Sequence, residues 1–386
     1  MKPLFCRALN APKIKPSLMS PASLHSLLLG GTLLLALTCS AAPFQWETTG
    51  SLNLRRAGHA AALLSNGQVL VAGGENEGGL NSAELYDPVT GLWQRTADMH
   101  HAHAYTAATV LLDGRVLVVA GAEAGLLPSR STELYDPASG TWSLAGQLAF
   151  ARQHHTVTRL SDGKVLAVGG AGLNNYAALA SVELYDPSLG SWTTTGSLHV
   201  ARVGHTATLL PSGKVLVIGG SDDYFALHPL RSAELYDPVT GIWTLTAGPI
   251  RGQAFHTATV LQDGRVLTAG GLGQNTSRRI SQLYDPLTET WAVASNLFEA
   301  RGVHAAALLP DGQVLVAGGL RNGIYLRSAE VYDPSTGRWS RTDPMSQARA
   351  QATATLLPDG RVLVAAGYNG DLGTTSAELF ESAAGR

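Results

Sequence analysis

The chain has 386 residues, of which 45% are hydrophobic and 15% charged, and its net charge at neutral pH is −2. A chain of this size and composition can bury an ordinary hydrophobic core, and its near-zero charge argues against nucleic acid or an anionic membrane as a partner. Its two cysteines, Cys6 and Cys39, both precede residue 42.

Residues 1–41 have the features of a secretory signal peptide. Basic residues come first, a largely apolar run follows over 27–38, and small residues surround Ala41. The apolar run is too short to span a membrane. We therefore predict cleavage near Ala41, a secreted or periplasmic mature protein and no transmembrane segment. Two alternatives stay open, a lipid anchor on Cys39 and translation from Met19.

The remaining chain, 42–386, is organised by a repeat marked by tryptophan. Every interval between successive tryptophans contains the same signals in the same order: a run of small residues, a turn that usually ends in Asp-Gly or Asn-Gly, an apolar run, a variable loop and a Leu-Tyr-Asp-Pro-like segment. A period of about fifty residues built only from strand-like segments predicts a β-propeller with one four-stranded blade per repeat. The tryptophans are Trp46, Trp93, Trp142, Trp192, Trp243, Trp291 and Trp339.

The fourth repeat illustrates the predicted blade. Strand a is expected over 205–210, strand b over 214–219, strand c over 233–237 and strand d over 242–247. Strand a consists of small residues because seven innermost strands converge on one axis. Strand b is apolar without alternation, as expected when both faces of the sheet pack against neighbouring blades. The tryptophan at the start of strand d is interpreted as a wedge between blades.

These landmarks resemble the kelch repeat family, in which a hydrophobic strand ends in Gly-Gly and is followed by a Tyr and a Trp. The resemblance implies a seven-bladed kelch-type β-propeller, similar to the central domain of galactose oxidase, and a family with many functions and few enzymes. The copper site of galactose oxidase needs a cysteine crosslinked to a tyrosine, and no cysteine follows residue 41. We therefore expect no cofactor. The pairs are Gly73-Gly74, Gly169-Gly170, Gly219-Gly220, Gly270-Gly271 and Gly318-Gly319, with Ala120-Gly121 and Ala366-Gly367 as departures.

The two ends of the repeat region are predicted to complete one blade. The seventh repeat stops at 378–381, without the tryptophan strand, whereas 44–49 carries an unmatched tryptophan. Pairing these segments closes the ring and removes an open edge. We expect a single domain over 42–386 and a monomer.

The candidate ligand-binding residues lie on one rim. In four-stranded blades the d–a and b–c connections emerge on the same face, and variable loops on a rigid scaffold are the usual place for binding. Arginines near the start of strand a and at the ends of the b–c loops make an anionic or carbohydrate ligand plausible. Alternatively, the loop arginines could pair with acidic residues of adjacent blades, and the residues that recur before strand a could hydrogen-bond the blade. The d–a candidates are Arg56, His103, Arg152, Arg202, Arg251, Arg301 and Arg349, and the b–c candidates are Arg130, Asp222, Asp223, Tyr224, Phe225, Arg231, Tyr325 and Arg327.

Five histidines follow the d–a candidates and could suggest a metal site. Five symmetric ligands around an axis cannot converge tetrahedrally, so hydrogen bonds within the blades are the preferred interpretation, and no metal is expected. The five are His59, His155, His205, His256 and His304.

The sequence therefore predicts an exported binding or interaction scaffold that engages a protein or glycan through the d–a and b–c rim. The alternative is a carbohydrate-active enzyme resembling the kelch-type sialic acid epimerases. Those enzymes have six blades, whereas this chain has seven repeats, and no nucleophile elbow or phosphate loop is present.

Overall fold

The computed structural model describes residues 44–225, 228–274, 276–370 and 372–382. The predicted signal peptide lies outside these residues. The described residues form seven four-stranded antiparallel sheets, each one blade, with the strands of every sheet in the spatial order a, b, c, d. The predicted seven-bladed all-β propeller is confirmed.

Each blade is built from two hairpins that the turn residues favour. Aspartate and glycine recur in the a–b and c–d turns, where glycine adopts positive φ, as at Gly213 and Gly241. In the order a to d, the strands of blade 1 are Ala60–Leu63, Val69–Ala72, Ala83–Asp87 and Leu92–Arg95. Those of blade 2 are Ala107–Val110, Val116–Val119, Ser129–Asp136 and Thr141–Arg152. Those of blade 3 are Thr156–Arg159, Val165–Val168, Val182–Asp186 and Ser191–Thr194. Those of blade 4 are Thr206–Leu209, Val215–Ile218, Ala233–Asp237 and Ile242–Thr246. Those of blade 5 are Thr257–Val260, Val266–Ala269, Ser281–Asp285 and Thr290–Val293. Those of blade 6 are Ala305–Leu308, Val314–Ala317, Ala329–Asp333 and Arg338–Arg341.

Blade 7 joins the two ends of the described chain. Strands a, b and c are Thr353–Leu356, Val362–Ala365 and Ala377–Glu381, and strand d is Gln45–Thr48. Trp46 lies opposite Phe380 in this antiparallel pair, with ring centroids 5.1 Å apart. The predicted closure is confirmed.

Three small elements lie in the b–c loops. Blade 2 has a 3-10 helix at Ala124–Leu126. Blades 5 and 6 have short hairpins, Leu272–Gly273 with Thr276–Ser277 and Leu320–Arg321 with Ile324–Tyr325. Among the described residues no helix has the length and apolar character needed to cross a membrane.

The hydrophobic core lies between neighbouring blades. Strand b of every blade is fully buried, and residues such as Leu166 and Val168 of blade 3 pack with Val215 and Val217 of blade 4. Trp243 inserts into the same interface, where its Nε1 donates to the backbone oxygen of Gly196, 2.9 Å away, in the preceding blade. The tryptophan is therefore a wedge between blades, as predicted.

Candidate functional site

The strand-a arginines belong to the interior of the blades and not to the exposed rim. Arg202 is completely buried, and its guanidinium donates to the backbone oxygen of Gly219 at 2.7 Å and to the carboxylate of Glu234 at 2.6 Å. Six predicted rim residues are buried in this way, so none offers a free surface to a ligand. They are Arg56, His103, Arg152, Arg202, Arg301 and Arg349.

The acidic partner comes from strand c of the same blade, as expected for a recurring residue that hydrogen-bonds the blade. Besides Arg202, Glu234 accepts hydrogen bonds from the backbone N–H groups of His199 and Val200, in the loop leading to strand a. Burial acts to raise the pKa of Glu234, but the bonds from His199 and Arg202 outweigh it and lower the pKa. The ion pair therefore fixes the d–a loop onto its blade.

Blades 2 and 5 have other residues in place of this Arg–Glu ion pair, and neither blade leaves a buried charge there without a partner. In blade 5, Gln253 donates to the backbone oxygen of Gly270 at 2.5 Å and accepts from Gln282 at 2.6 Å, so both partners are neutral. In blade 2, His103 replaces the arginine and bonds Glu133 at 3.3 Å. Removing one charge of a buried pair is costly, which explains why both charges change together in blade 5.

The other predicted rim residues are at the surface but are dispersed. Tyr224, Asp223 and Tyr325 are half-buried, and the rest are exposed. Arg130 lines a shallow groove with Phe150 and Leu173, away from the axis. The exposed members are Arg130, Asp222, Phe225, Arg231, Arg251 and Arg327.

In the b–c loop of blade 4, residues 221–225 and 228 are organised around the side chain of Asp223. The Asp223 carboxylate accepts from the backbone N–H of Phe225 at 2.8 Å and of His228 at 2.9 Å. Ligand atoms of Asp222, Asp223 and His228 lie within 4.8 Å of one another. The backbone bonds to Asp223 shape the loop that presents Tyr224 to the axis.

A closed ring of hydrogen bonds surrounds the axis at the rim face. One residue per blade, two positions before strand a, has φ between 50 and 63°. Its N–H donates to the backbone oxygen of the equivalent residue in the preceding blade, and the bond from Gly58 to Gln351 at 3.2 Å closes the circle. We call these residues the axial ring: Gly58, Tyr105, His154, Gly204, Phe255, Val303 and Gln351.

Five members of the axial ring are not glycine, although the left-handed conformation favours glycine. Each side chain there costs about 1–2 kcal/mol of backbone strain, and a β-branched residue such as Val303 is an outlier. Gly58 and Gly204 show that the ring geometry itself needs no side chain. Strained residues that persist are typical of functional sites.

The axial ring forms the entrance of a pocket of about 280 Å³, which we call the axial mouth. The five histidines predicted to hold the blades line its floor. Four of them bond a threonine of the preceding blade, so these bonds link neighbouring blades and do not lie within one blade as expected; examples are His205 with Thr156 at 2.9 Å and His256 with Thr206 at 3.1 Å. Burial lowers the pKa of His256 to about 4 and that of His59 to about 3, so these rings are neutral at pH 7.

Aromatic side chains cover one side of the mouth. The His154 ring stacks on Tyr105 at 4.5 Å and meets Phe255 at 5.4 Å and Tyr224 at 5.6 Å, while Tyr176 lies 4.9 Å from Tyr224. We call these five residues the aromatic wall. A Cβ atom on Gly204 would lie 2.9 Å from the Phe255 ring, and one on Gly58 would lie 2.8 Å from Tyr105. The two ring glycines therefore leave the space that the aromatic side chains occupy.

A buried carboxylate supports the wall from beneath. Glu75, in the b–c loop of blade 1, accepts hydrogen bonds from the phenols of Tyr105 and Tyr368. Burial raises the pKa of Glu75, and the bond from Tyr105 opposes that shift. Burial and then Glu75 raise the pKa of Tyr105, and a charge on Tyr325 would act in the same direction.

Of the predicted site residues, Tyr224 contacts His154 at the mouth, whereas Tyr105, His154 and Phe255, which line the mouth, and Glu75, which bonds Tyr105, were missed. One signal could have revealed three of the missed residues. The position two residues before strand a changes from Gly to Tyr, His, Phe, Val and Gln among repeats whose neighbouring positions are similar. When one position of a regular repeat varies while its neighbours do not, the residues at that position have different roles in different blades.

Two family models match the chain. One, described as the KLHDC2/KLHL20/DRC7 Kelch-repeats domain, covers residues 154–367, which is more than half of the chain, and the other, the Kelch motif, covers residues 56–100. The chain belongs to the kelch repeat family. Kelch propellers are generally protein-interaction scaffolds. No curated protein matches this kelch chain significantly.

Among solved structures, the kelch propeller is similar to a fungal alcohol oxidase of the AA5 family, solved in complex with copper. The TM-score is 0.73 at 19% identity, over 88% of this chain and 77% of the oxidase. Likeness at this identity concerns the fold. A copper site with a crosslinked cysteine and tyrosine does not fit the residues present, because the propeller sequence from residue 44 onward contains no cysteine.

Proposed function

We propose that this protein is an exported binding scaffold that takes a carbohydrate ring at the axial mouth. The observation that carries the proposal is the axial ring, in which five large side chains occupy strained positions where glycine is sufficient for the fold. The geometry of the ring does not require these side chains, so the best explanation for their presence is that they contact a ligand in the mouth.

The chemistry of the mouth supports a sugar. Aromatic rings stack on the apolar faces of pyranoses, and ligand sites combine such surfaces with a few polar groups that fix orientation. Here the aromatic wall provides the stacking surface, while Gln351, Thr106 and Thr353 provide neutral hydrogen-bonding groups in the same pocket. A volume of about 280 Å³ suits one or two sugar units.

The loops around the mouth would contact a longer glycan or a protein carrying it. Phe225 is 77% exposed next to Tyr224, and Arg231 and Arg327 are exposed on neighbouring loops. Export rests on the predicted signal peptide of residues 1–41, which makes the periplasm or the exterior of the cell the place where such ligands would be met.

The test compares two substitutions of one wall residue, Phe255→Gly and Phe255→Ala. Both should abolish binding of glycans that the wild-type protein selects from a glycan array, measured by calorimetry. Because only glycine relieves the left-handed strain, Phe255→Gly should be more stable than Phe255→Ala by about 1 kcal/mol, the reverse of the usual order.

The control is Asp263→Ser, in an a–b turn on the opposite face, which should leave binding unchanged. Full glycan affinity in Phe255→Gly would refute a site at the axial mouth. An array with no selected glycan would refute carbohydrate binding altogether.

A carbohydrate-active enzyme is the second candidate, and one observation favours it. Tyr105 and His154 line the mouth, and the Tyr105 phenol is bonded to Glu75, which also bonds Tyr368, so groups that can donate and accept protons lie next to one another. Burial lowers the pKa of His154 to about 4. Proton NMR of freshly dissolved sugars would test it, since an enzyme of this kind would speed anomer interconversion above the rate in buffer.

A further inference from the structure

We propose that the axial mouth selects sugars carrying an ammonium group over neutral sugars, and neutral sugars over anionic ones, with Glu75 as the residue that sets this order. This inference rests on the proposed carbohydrate site and deepens it by naming the charge class of the ligand. It also differs from the expectation of an anionic ligand, since the strand-a arginines are buried and the exposed arginines Arg130, Arg231 and Arg327 do not line the axial mouth.

The first support is the charge of the pocket itself. Its described lining contains no Lys, Arg, Asp or Glu, and its histidines are neutral because burial disfavours their charged form. Each of the five strand-a guanidinium groups is paired with the glutamate of its own blade. An anionic sugar would therefore lose its hydration at the mouth without gaining a cationic partner.

The second support is the aromatic wall. The faces of aromatic rings carry partial negative charge, and they attract organic cations that lie over them. Tyr105 and Phe255 line the mouth, and Tyr224 and Tyr176 extend the wall outward from His154. The same rings that stack on a pyranose also favour an ammonium substituent on it.

The third support is the position of Glu75. Its carboxylate lies directly behind the wall, bonded to the phenols of Tyr105 and Tyr368, and its charge acts on both Tyr105 and Tyr224. Burial disfavours the ionised form of this carboxylate, but the phenols of Tyr105 and Tyr368 donate to it and favour that form, and its negative charge lowers the electrostatic potential over the wall. Among acidic side chains of this loop, Glu77 is exposed and is not bonded to the wall.

The experiment measures dissociation constants by calorimetry for three disaccharides: one of glucosamine at a pH where its amine is protonated, one of N-acetylglucosamine and one of glucuronate. We expect the glucosamine disaccharide to bind about tenfold more tightly than the N-acetylated one. This factor is the one expected when the ammonium group and the Glu75 carboxylate attract each other from roughly 10 Å in a medium of intermediate dielectric constant. The glucuronate disaccharide should bind most weakly.

Three variants test whether the charge of Glu75 causes the preference for the glucosamine disaccharide. Glu75→Gln, which keeps the shape and one acceptor, should remove most of the preference for glucosamine and leave the smaller part that the aromatic wall provides. The matched control Glu77→Gln removes a charge from the same loop and should keep the preference, as should Tyr368→Phe, which removes a hydroxyl but no charge. Melting curves establish that each variant is folded.

The outcomes separate the two proposals. Equal affinities for the three disaccharides, or an unchanged preference in folded Glu75→Gln, would overturn the charge selectivity and leave the carbohydrate site standing. If none of the three disaccharides binds to the folded wild-type protein, this inference fails, and a glycan array then decides the proposed function separately.

Discussion

The buried ion pair between Arg202 and Glu234 can be tested with a double-mutant cycle. Blade 5 shows what the double variant would contain, because it has a neutral glutamine pair at the equivalent positions. The variants are Arg202→Gln, Glu234→Gln and both together. In the double variant, the new pair repeats Gln253 and Gln282 of blade 5, where one amide donates to a backbone oxygen and accepts from the other.

The expected magnitudes follow from the contacts. Each single substitution leaves a buried ion without its partner and should cost about 3–5 kcal/mol. Arg202 makes four hydrogen bonds to groups of its own blade, to Gly219, to two atoms of Ser232 and to Glu234. The neutral pair would keep about half of them, so at about 1 kcal/mol for each lost bond the double variant should cost about 2 kcal/mol. The coupling energy is then about 4 kcal/mol or more.

The assay is equilibrium unfolding in urea at neutral pH, followed by tryptophan fluorescence, for the wild type and the three variants. The exposed pair Arg95–Asp98 provides the control, because its partners are 3.0 Å apart but 50% and 46% exposed. The cycle Arg95→Gln with Asp98→Asn should give a coupling below about 1 kcal/mol. If the costs of Arg202→Gln and Glu234→Gln are additive within about 0.5 kcal/mol, the reasoning about paired buried charges is wrong.

Three further predictions concern stability. Trp243→Ala should cost about 3–5 kcal/mol because it empties an interblade wedge, and a melting temperature equal to the wild type would contradict that role. Deleting residues 44–48 should lower the melting temperature strongly, since it exposes the edge of Ala377–Glu381; an unchanged melt would show that this strand does not close the ring. Burial lowers the pKa of His59 to about 3 and of His256 to about 4 from 6.5, so the unfolded chain binds more protons in that window and stability should fall as pH drops from about 6.5 to 4. Urea midpoints that stay constant between pH 7 and pH 5 would contradict this.

The sequence by itself determined the number of blades, the hairpins within each blade and the closure of the ring. These features follow from local chemistry that every repeat restates: turn residues that accept positive φ, an apolar strand with both faces buried, and a tryptophan at a constant interval. Strand c of blade 4 was predicted over 233–237 and is found there. The unmatched Trp46 similarly predicted its partner strand, because an open edge would be unstable.

Only the tertiary structure decided where the arginines point and where the site lies. The sequence near Arg202 does not reveal that Glu234, 32 residues later, receives its guanidinium inside the blade. The side chains of the axial mouth come from separate repeats and meet only because the ring closes. Convergence of this kind depends on distances between blades that no local pattern encodes, and so Tyr105, His154 and Phe255 line one pocket only in the folded propeller.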